Sequence, residues 1–548
     1  MQNQEHACSF AADVIVVGGG VAGLCAAIAA HDAGAATMLL EASSLIGGTA
    51  SWSGGAAWIP LNARMREAGL PDSREAAATY MSLCAEGKAD PALYATFLDE
   101  AAAVADYLES STPLELEMGT MPDYQGGIPG GFYEIGRSRS MAPAIFNLNR
   151  LGASREHFRR SPYGTVPFSF QEFARYEAML HPDRIDMTLF GERIKQGYVG
   201  WGEALAAALY AGVLERGIDV RTNARAVRLV INDRVRGVMA EVDGRERRID
   251  ARRGVVLACG GYEWDPALVA KQFPGVSWTP STVSTNRGDG WRMAEQAQAA
   301  MGNLSSCWGW PSYIVPGEML PEGVPLVRTS LIERCLPHII LVDRHGERFV
   351  DETLPYHVIF KTMIRRDNPH FRHLPAYHVF DQQFRDRYMF GTVMPGQPTP
   401  AWMRSFASLD ALAEALGMPR ESVVLTVRRY NDDVRAGKDR QFGRGEHPYG
   451  RFWGDPDHPT GPCLGTLERA PYYAVEAVPS TIGTCGGPKI DSHAHVLRED
   501  GTAVPGLYAA GNVTAAVSGP SYLGPGGTIG PAMVFGVIGG RAAARNGQ

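Results

Sequence analysis

The sequence has no apolar run that approaches the roughly 18 residues expected of a membrane-spanning helix. It also lacks the clustered lysines and arginines that mark a nucleic-acid-binding surface. The short basic segment at residues 245–253 is interpreted as a solvated turn and strand edge, and the formal net charge is only −7. We therefore expect a protein with no membrane span and no nucleic-acid partner.

Metal-ligand spacing is missing as well. The eight cysteines, from Cys8 to Cys485, are scattered, and no two have the spacing of a metal site. Several lie in apolar runs, which indicates reduced, buried thiols and a reducing compartment. The N-terminal segment MQNQEHACSFAAD lacks the basic start and apolar core of a signal peptide. The sequence predicts a cytoplasmic protein with no metal site.

Length and composition indicate a globular protein of more than one domain. The chain has 548 residues, too many for one hydrophobic core, so two domains are the first expectation. Apolar residues make up 45% of the chain and charged residues 20%, which is typical of a globular protein.

A glycine motif near the N-terminus predicts a dinucleotide site. The apolar run at residues 14–17 is typical of a buried parallel strand, and Gly18, Gly20 and Gly23 follow it in the G-x-G-x-x-G pattern. An alanine-rich helix is predicted next, and the second strand ends at Glu41, close to the spacing of the acid that binds ribose hydroxyls. The glycines allow a tight turn and place the N-terminus of the helix at the pyrophosphate.

The segment after Glu41 favours FAD over NAD as the cofactor. Residues 42–60 read ASSLIGGTASWSGGAAWIP, and small residues here permit contact with the ribityl chain and the isoalloxazine. Two later strands also end in glycine, at Gly260 and at Gly511, as expected for one site assembled from distant parts of the chain. The residues expected to contact FAD are Gly18, Gly20, Val21, Ala22, Gly23, Glu41, Ala42, Ser43, Gly47, Gly48, Thr49, Ala50, Ser53, Gly54, Gly55, Arg225, Gly260, Asp289, Gly511, Asn512, Gly527, Thr528 and Ile529.

Three further segments resemble one superfamily of flavoproteins. NRGDGWRMAEQA at residues 286–297, ERFVDETLPY at 347–356 and YAAGNV at 508–513 are landmarks of the flavoproteins grouped with fumarate reductase and 3-ketosteroid Δ1-dehydrogenase. The resemblance extends along most of the chain. It implies an FAD-dependent oxidoreductase that acts on CH–CH bonds.

The C-terminal glycine segment distinguishes the branches of that superfamily. Residues 519–536 read GPSYLGPGGTIGPAMVFG and contain no arginine, histidine or lysine, whereas fumarate reductases use such groups to clamp two carboxylates. Burying an unpaired carboxylate is very costly, so this segment argues against a fumarate or succinate enzyme. It is similar instead to the ketosteroid dehydrogenase pattern, in which a tyrosine precedes a glycine by four residues, as Tyr522 precedes Gly526.

Two more tyrosines match the same branch. Tyr124 lies in PDYQGGIPGG, where that family has an Asp-Tyr pair followed by Pro-Gly-Gly, and Tyr356 is the best match to a third tyrosine from the smaller domain. The family's reaction removes a proton and a hydride from adjacent carbons beside a ketone, and the hydride goes to flavin N5. The resemblance implies that the Tyr522 hydroxyl and the Gly526 N–H hold the ketone oxygen, that Tyr356 is the base and that Tyr124 assists it.

Other side chains compete for these roles. Tyr163, Tyr176 and Tyr198 flank a region rich in proline and aromatic residues and remain rival catalytic candidates. His338 and His357 are interpreted as structural rather than catalytic.

The substrate is less sharply defined than the chemistry. Gln125 and Gly126 follow Tyr124, where steroid enzymes often carry His and Pro. A 3-ketosteroid is the first expectation, and a smaller apolar cyclic ketone, of the cyclohexanone or oxocyclohexane carboxylate type, is the alternative. An enone reductase that works the same site backwards, and a flavin carrier without enzymatic activity, are further alternatives. A dehydrogenase of this kind passes its electrons to an external acceptor such as a quinone.

The predicted fold is α/β, with a Rossmann-like FAD-binding domain and an inserted, smaller α+β substrate domain. Residues 11–290 and 477–548 are predicted to form the FAD-binding domain, and residues 291–476 the substrate domain. Within the first, residues 219–251 are interpreted as a small strand meander.

Three segments carry less specific predictions. Residues 307–325, rich in aromatic residues and proline, are interpreted either as a lid over an apolar ligand or as a packed loop. Residues 140–200 are poorly patterned and are interpreted as an extra cap or an oligomer contact. A helix beginning near Ile529 would direct its positive end at the flavin.

Overall fold

The computed structural model describes residues 10–134, 136–178, 180–367 and 370–546. Cys8 and most of the segment assessed for a signal peptide lie outside the described residues. The other seven cysteines are free thiols. Among the described residues, no helix combines the length and the apolar character needed to cross a membrane.

An eight-stranded sheet, mostly parallel at its centre, carries the N-terminal motif. Phe10–Val17, buried along most of its length, pairs in parallel with Arg245–Leu257 on one side and Thr37–Leu40 on the other. Arg245–Leu257 pairs in turn with Ala503–Ala509, so a strand from near the C-terminus joins this sheet. The strands of this sheet are Phe10–Val17, Thr37–Leu40, Asp219–Arg221, Ala224–Ile231, Val235–Val242, Arg245–Leu257, His495–Leu497 and Ala503–Ala509.

Two helices lie in unusually close contact beside this sheet. Val21–Asp32 follows the first strand, and Ile529–Arg545 packs along it. A Cβ atom added at Gly536 would lie 2.5 Å from the carbonyl oxygen of Ala22, so only glycine permits this approach. The N-termini of both helices therefore come to the same end of the sheet. The α-helices are Val21–Asp32, Ala63–Glu67, Arg74–Ala85, Pro91–Ser111, Phe170–Arg175, Met187–Gln196, Trp201–Glu215, Pro266–Gln272, Asp289–Gln296, Tyr356–Met363, Gln382–Arg387, Leu409–Leu416, Arg420–Arg435, Pro448–Trp453 and Ile529–Arg545.

A second, antiparallel sheet has its own core. Its central strand, Tyr472–Thr484, pairs with Cys307–Met319 on one side and with Ala376–Asp381 on the other. Helices Leu409–Leu416 and Arg420–Arg435 cover part of it with an apolar face that includes Leu412 and Val427. The strands of this sheet are Cys307–Met319, Pro325–Thr329, Ile339–Asp343, Ala376–Asp381, Arg404–Phe406 and Tyr472–Thr484.

Short strands complete the structure. Ala57–Trp58, Leu116–Met118 and Ser140–Pro143 form a three-stranded sheet. The two-stranded pairs are Phe146–Asn147 with Tyr198–Val199, Met301–Gly302 with Gly487–Pro488, and Arg366–Asp367 with His370–Phe371.

The predicted α/β fold is confirmed, and so are the helix beginning at Ile529 and the meander, whose last three strands pair antiparallel. The role of residues 307–325 as a lid stays a prediction, but they are not a packed loop, because Cys307–Met319 is a long strand of the second sheet. Its aromatic side chains alternate along that strand and pack on neighbours that are distant in sequence. The domain boundaries stay a prediction; strand Tyr472–Thr484 runs across the one predicted at residue 476.

Candidate active site

One cavity of about 540 Å³ is lined by residues from both large sheets. Gly18 and Glu41 lie on its wall at the ends of strands of the first sheet, and Trp310 and Arg328 belong to strands of the second. Tyr124, Tyr356, Tyr522 and Gly526 line the same cavity. Most of the predicted cofactor residues and all four predicted substrate residues therefore line one cavity.

The N-terminal glycine motif forms a narrow turn at one wall of this cavity. Gly18 has a φ of +113°, and an added Cβ would lie 2.4 Å from the carbonyl oxygen of Ala258, so a side chain is excluded there. At Gly23 an added Cβ would lie 1.8 Å from the carbonyl oxygen of Gly18, which fits its predicted role in close packing of helix on strand. The backbone can thus approach a ligand as the motif predicts.

Glu41 is buried and held in place by its neighbours. Its carboxylate accepts hydrogen bonds of 2.9 Å from the backbone N–H of Gly19 and from both the N–H and the hydroxyl of Ser43. Arg159 donates to the Ser43 hydroxyl at 2.8 Å. The acid therefore stands fixed at the end of its strand, the position from which such a group binds ribose hydroxyls.

Two helix N-termini supply unpaired donors at the cavity. Among the described residues, no acceptor receives the N–H groups of Val21 and Ala22, or those of Thr528 and Ile529. All four residues line the cavity. Free N–H groups at a helix N-terminus bind anions, so the first pair fits a pyrophosphate and the second fits a partly negative ring edge. The residues present fit FAD.

Most of the predicted cofactor residues lie on the cavity wall. Those lining it are Gly18, Gly20, Val21, Ala22, Glu41, Ala42, Gly48, Thr49, Ala50, Ser53, Gly54, Gly55, Arg225, Gly260, Asp289, Gly511, Asn512, Thr528 and Ile529. Gly23, Ser43, Gly47 and Gly527 are not part of this wall. Arg225 and Asp289 bind each other through two hydrogen bonds of 2.9 and 2.8 Å. The contacts of these residues with FAD stay predictions.

The three predicted tyrosines form one buried cluster. The hydroxyl of Tyr124 donates to that of Tyr356 at 3.0 Å. The ring of Tyr522 stacks on Tyr124, with centroids 5.5 Å apart, and meets Tyr356 edge-on at 5.6 Å. Three phenols from three distant segments thus meet at one end of the cavity.

A buried ion pair fixes the loop that carries Tyr124. The Asp123 carboxylate accepts 2.7 Å hydrogen bonds from Trp58 Nε1 and from Arg139. The Tyr124 N–H donates to the carbonyl oxygen of Leu523 at 3.0 Å. This last bond ties the Tyr124 loop directly to the residue after Tyr522.

Tyr356 begins helix Tyr356–Met363, and a charged network fixes the loop before it. Arg348 forms two hydrogen bonds each to Glu352 and Asp439, and Arg444 adds one to Glu352 at 2.8 Å. All four side chains are buried. Residues 347–356, the segment that predicts Tyr356, therefore contribute Arg348 and Glu352 to this buried network.

Gly526 presents its N–H at the cavity. No described residue accepts that N–H, while its carbonyl oxygen accepts from Trp58 at 3.1 Å. Its φ is +77°, and an added Cβ would lie 2.0 Å from the carbonyl oxygen of Ala56. Glycine is thus required by contact with Ala56 and Ala57 at the start of strand Ala57–Trp58.

Burial controls the protonation of the cluster. It raises the pKa of Tyr124 and of Tyr356 well above the usual value. Burial also raises the pKa of Tyr522, although contacts with Thr528 and Tyr356 act to lower it. His357 stacks on Tyr124, and burial lowers its pKa to about 3, so it is neutral near pH 7. At rest the phenols are protonated unless a positive charge opposes the effect of burial.

The rival candidates are placed differently. Tyr163 lines the cavity, but its hydroxyl donates to the carbonyl oxygen of Val327 at 3.1 Å. Tyr176 packs on Phe168, and Tyr198 lies in a short strand; neither is part of the cavity wall. His338 shares a 3.0 Å Nε2–Nε2 contact with His458.

Several residues of the site were not found by sequence reasoning. Tyr449 packs edge-on against Tyr124 at 5.1 Å, Trp308 against Tyr522 at 6.1 Å and Trp310 against Tyr356 at 5.5 Å. The two-residue spacing of the tryptophans is a strand signal that could have placed both on one face. Tyr449 has no such local signal.

Comparisons with known proteins agree with this geometry. A family described as FAD binding domain matches residues 13–529. A 3-oxosteroid 1-dehydrogenase of Mycobacterium tuberculosis is 35% identical over 96% of this chain and 97% of that protein. A 4-oxocyclohexanecarboxylate 2-dehydrogenase of Sinomonas cyclohexanicum is 35% identical over 97% of this chain and 92% of that protein.

A solved structure matches nearly the whole chain. It is the crystal structure of 3-ketosteroid Δ1-dehydrogenase from Sterolibacterium denitrificans in complex with 1,4-androstadiene-3,17-dione. The TM-score is 0.89 at 31% identity, and the match covers 98% of this chain and 100% of that one. The predicted resemblance and the predicted cofactor are confirmed. The chain belongs to the FAD binding domain family and is an FAD-dependent oxidoreductase of the 3-ketosteroid Δ1-dehydrogenase-like type.

Proposed function

We propose that this chain desaturates a cyclic ketone between its α and β carbons, with a 3-ketosteroid as substrate and Δ1-dehydrogenation as the reaction. The observation that carries the proposal is the meeting of Tyr124, Tyr356 and Tyr522 beside the unpaired N–H of Gly526 in the cavity whose other wall fits FAD. The names of relatives with 35% identity support the same reaction class.

Each residue has a role that its position supports. The Tyr522 hydroxyl and the Gly526 N–H donate to the ketone oxygen, and they stabilise the negative charge that develops there as the α carbon loses its proton. One such donor contributes about 3–4 kcal/mol to the transition state. Tyr356 takes the proton on its phenol oxygen, and Tyr124, hydrogen-bonded to that oxygen, stabilises its charge. FAD, held by the N-terminal glycine motif and the N–H groups of Thr528 and Ile529, would supply the acceptor for the hydride that leaves the β carbon.

The charges on the cavity wall favour a neutral substrate. The two arginines that line it, Arg225 and Arg328, each form two hydrogen bonds to a carboxylate, of Asp289 and Glu318. A substrate carboxylate would meet no unpaired lysine or arginine among the described residues of this wall, and burial of an unpaired carboxylate is unfavourable. This supports a steroid over a ring that carries a carboxylate.

A smaller ring remains the second candidate because one relative of 35% identity is a 4-oxocyclohexanecarboxylate 2-dehydrogenase. Its substrate would need a counter-ion, and Arg328 would have to leave Glu318 to provide one. We propose a quinone or similar compound as the external electron acceptor.

Anaerobic mixing of the yellow protein with ketones tests the proposal. A saturated 3-ketosteroid is expected to bleach the flavin absorbance, and 4-oxocyclohexanecarboxylate is expected to bleach it more slowly. Tyr356→Phe should slow bleaching by about 10²-fold or more, the loss expected for removing a general base. Tyr176→Phe is the matched control, because Tyr176 lies outside the cavity wall.

Two outcomes would contradict the proposal. Bleaching only by the carboxylated ring would favour the smaller substrate. Failure of every saturated ketone, with reoxidation of chemically reduced protein by enones alone, would favour an enone reductase.

A further inference from the structure

A buried arginine lies behind the tyrosine cluster without a carboxylate partner. Arg334 is 1% exposed, and it donates to the carbonyl oxygens of Glu352 and Leu354 and to the hydroxyl of Tyr449. Its Nε atom is buried without an acceptor. No described carboxylate forms an ion pair with it. A buried cation without a counter-ion is expensive, so its position calls for a physical reason.

The ion pairs next to Arg334 do not include it. Arg348 and Arg444 are matched by Glu352 and Asp439, which leaves Arg334 as an additional cation. These charged groups surround the loop that leads to Tyr356.

The other described titratable groups around Arg334 form no ion pair with it. Burial raises the pKa of both Glu333 and Asp351, whose oxygens accept from the backbone at Ile332, Gly391 and Thr353. Burial lowers the pKa of His378 to about 3, and burial raises the pKa of the thiols of Cys335 and Cys463.

Arg334 is linked to Tyr124 and Tyr356 indirectly, by two routes. One side of its guanidinium binds the carbonyl oxygens at 352 and 354, in the loop immediately before Tyr356. On the other side, its Nη2 lies 3.4 Å from the Tyr449 hydroxyl and its Cζ lies 5.8 Å from the ring centroid. Tyr449 packs on Tyr124 with centroids 5.1 Å apart, and Tyr124 binds Tyr356 at 3.0 Å.

The two phenols need such a charge. Burial raises the pKa of both Tyr124 and Tyr356, which disfavours the tyrosinate that must take a proton. The positive charge of Arg334 acts in the opposite direction on the pKa of Tyr124 and of Tyr449. Because Tyr124 and Tyr356 share a hydrogen bond, they titrate as a pair.

We propose that Arg334 is a positioning residue for the reaction: its guanidinium supplies the positive charge that stabilises the tyrosinate form of the Tyr124–Tyr356 pair, and it holds the backbone that carries Tyr356. This inference rests on the proposed function, in which that pair accepts the substrate proton. Arg334 and Tyr449 thus contribute to the chemistry although neither of them lines the cavity proposed to hold the substrate.

The pH dependence of kcat/KM tests the electrostatic part. The deprotonated fraction of the pair grows with pH, so kcat/KM rises through the pKa of the pair in the free enzyme. Without the guanidinium that pKa increases, so the rising limb moves to higher pH. Arg334→Gln is expected to shift it by about one pH unit or more, and to lower kcat/KM about tenfold at pH 7 with recovery at higher pH. Arg334→Lys keeps the charge and should keep the limb within about half a unit.

Arg385→Gln is the matched control. Arg385 is also buried, at 3% exposure, donates only to carbonyl oxygens, of Val393, Met394 and Gln397, and also has a buried Nε without an acceptor. Arg385→Gln should lose stability, while the rising limb of its pH profile of kcat/KM stays where it is in the wild type. An unmoved limb in Arg334→Gln, with activity reduced equally at every pH, would overturn the proposal and leave Arg334 a purely structural residue.

A spectroscopic titration covers the case in which Arg334→Gln does not fold. Tyrosinate absorbs in the near-ultraviolet, so wild type and Tyr356→Phe can be titrated without substrate. The wild-type protein is expected to show one phenol, absent from Tyr356→Phe, that ionises below the pH at which the protein unfolds; the absence of such a phenol would overturn the proposal. Failure of the proposed function is recognised separately, because the wild-type flavin would then not be bleached by saturated ketones at any pH.

Discussion

The two groups proposed to hold the ketone oxygen are fixed by different means. The Tyr522 side chain is kept in place by the rings of Tyr124 and Tyr356 and, edge-on, by Trp308. The Gly526 N–H is fixed by the backbone alone, through a left-handed conformation against strand Ala57–Trp58. Loss of the phenol hydroxyl therefore leaves the other donor and the surrounding packing in place.

Tyr522→Phe is expected to retain FAD and to remain folded, because the ring still fills its position. Turnover should fall by about 10²–10³-fold, the effect of losing one donor to a developing oxyanion. The rate of flavin bleaching by a 3-ketosteroid in single turnover measures this directly. Tyr388→Phe, whose hydroxyl donates to Asp455 at 2.7 Å in another part of the chain, is the control. Near-normal bleaching by Tyr522→Phe would remove Tyr522 from the oxyanion site.

At the scale of elements, the loop that contains Tyr522 is fastened to several others. Trp308 Nε1 donates to the carbonyl oxygen of Ser521 at 2.8 Å, and the Lys361 ammonium donates to that of Pro520 at 2.7 Å. Leu523 accepts from the backbone of Tyr124, and Gly526 from that of Trp58. A strand of the second sheet, helix Tyr356–Met363, the Tyr124 loop and strand Ala57–Trp58 of the three-stranded sheet thus set the position of one glycine-rich loop.

Gly526→Ala, compared with a control variant, separates the free-energy cost of a Cβ in contact with Ala56 from the general cost of placing alanine at a positive φ. Alanine at a φ of +77° costs about 1–2 kcal/mol, and the contact of its Cβ with Ala56 should add about 1–3 kcal/mol by forcing the loop from the strand. Gly396→Ala is the matched control, because Gly396 has the same φ of +77° with nothing within 4 Å of an added Cβ.

Chemical denaturation and flavin bleaching measure the two variants. Gly526→Ala should lose more free energy of unfolding than Gly396→Ala, and it alone should bleach more slowly with ketone. Equal losses of stability would show that the contact with strand Ala57–Trp58 does not fix the loop.

Local patterns predicted the parts of the site whose function depends on local backbone shape. The turn at Gly18 needs glycine for its own conformation. Tyr522 and Gly526 lie four residues apart in a single loop. Short sequence motifs therefore reveal both the turn and this pair. Tyr449 contacts Arg334 across 115 residues of chain, and it contacts Tyr124 from a segment still more distant in sequence. No local period marks such a contact. The strand Cys307–Met319 is likewise missed, because its partner strand Tyr472–Thr484 is distant in sequence.

At the scale of the whole molecule, the cofactor site joins the two ends of the chain. Strand Phe10–Val17 and helix Val21–Asp32 supply one wall, and helix Ile529–Arg545 packs along that helix and presents its own N-terminus to the same cavity. A ligand that spans both helix N-termini binds only when the two are docked. It therefore stabilises the folded state relative to the unfolded chain.

Removal of FAD is expected to lower the thermal midpoint of unfolding, and titration with FAD should restore it in a concentration-dependent way. At a free concentration 100 times Kd the stabilisation is about 2.7 kcal/mol. Riboflavin, which has the ring but no pyrophosphate, should restore much less, because the unpaired N–H groups of Val21 and Ala22 then have no anion to bind. Differential scanning calorimetry of apo-protein with each compound measures this. Equal stabilisation by riboflavin and FAD would mean that the N-terminal helix does not bind the pyrophosphate.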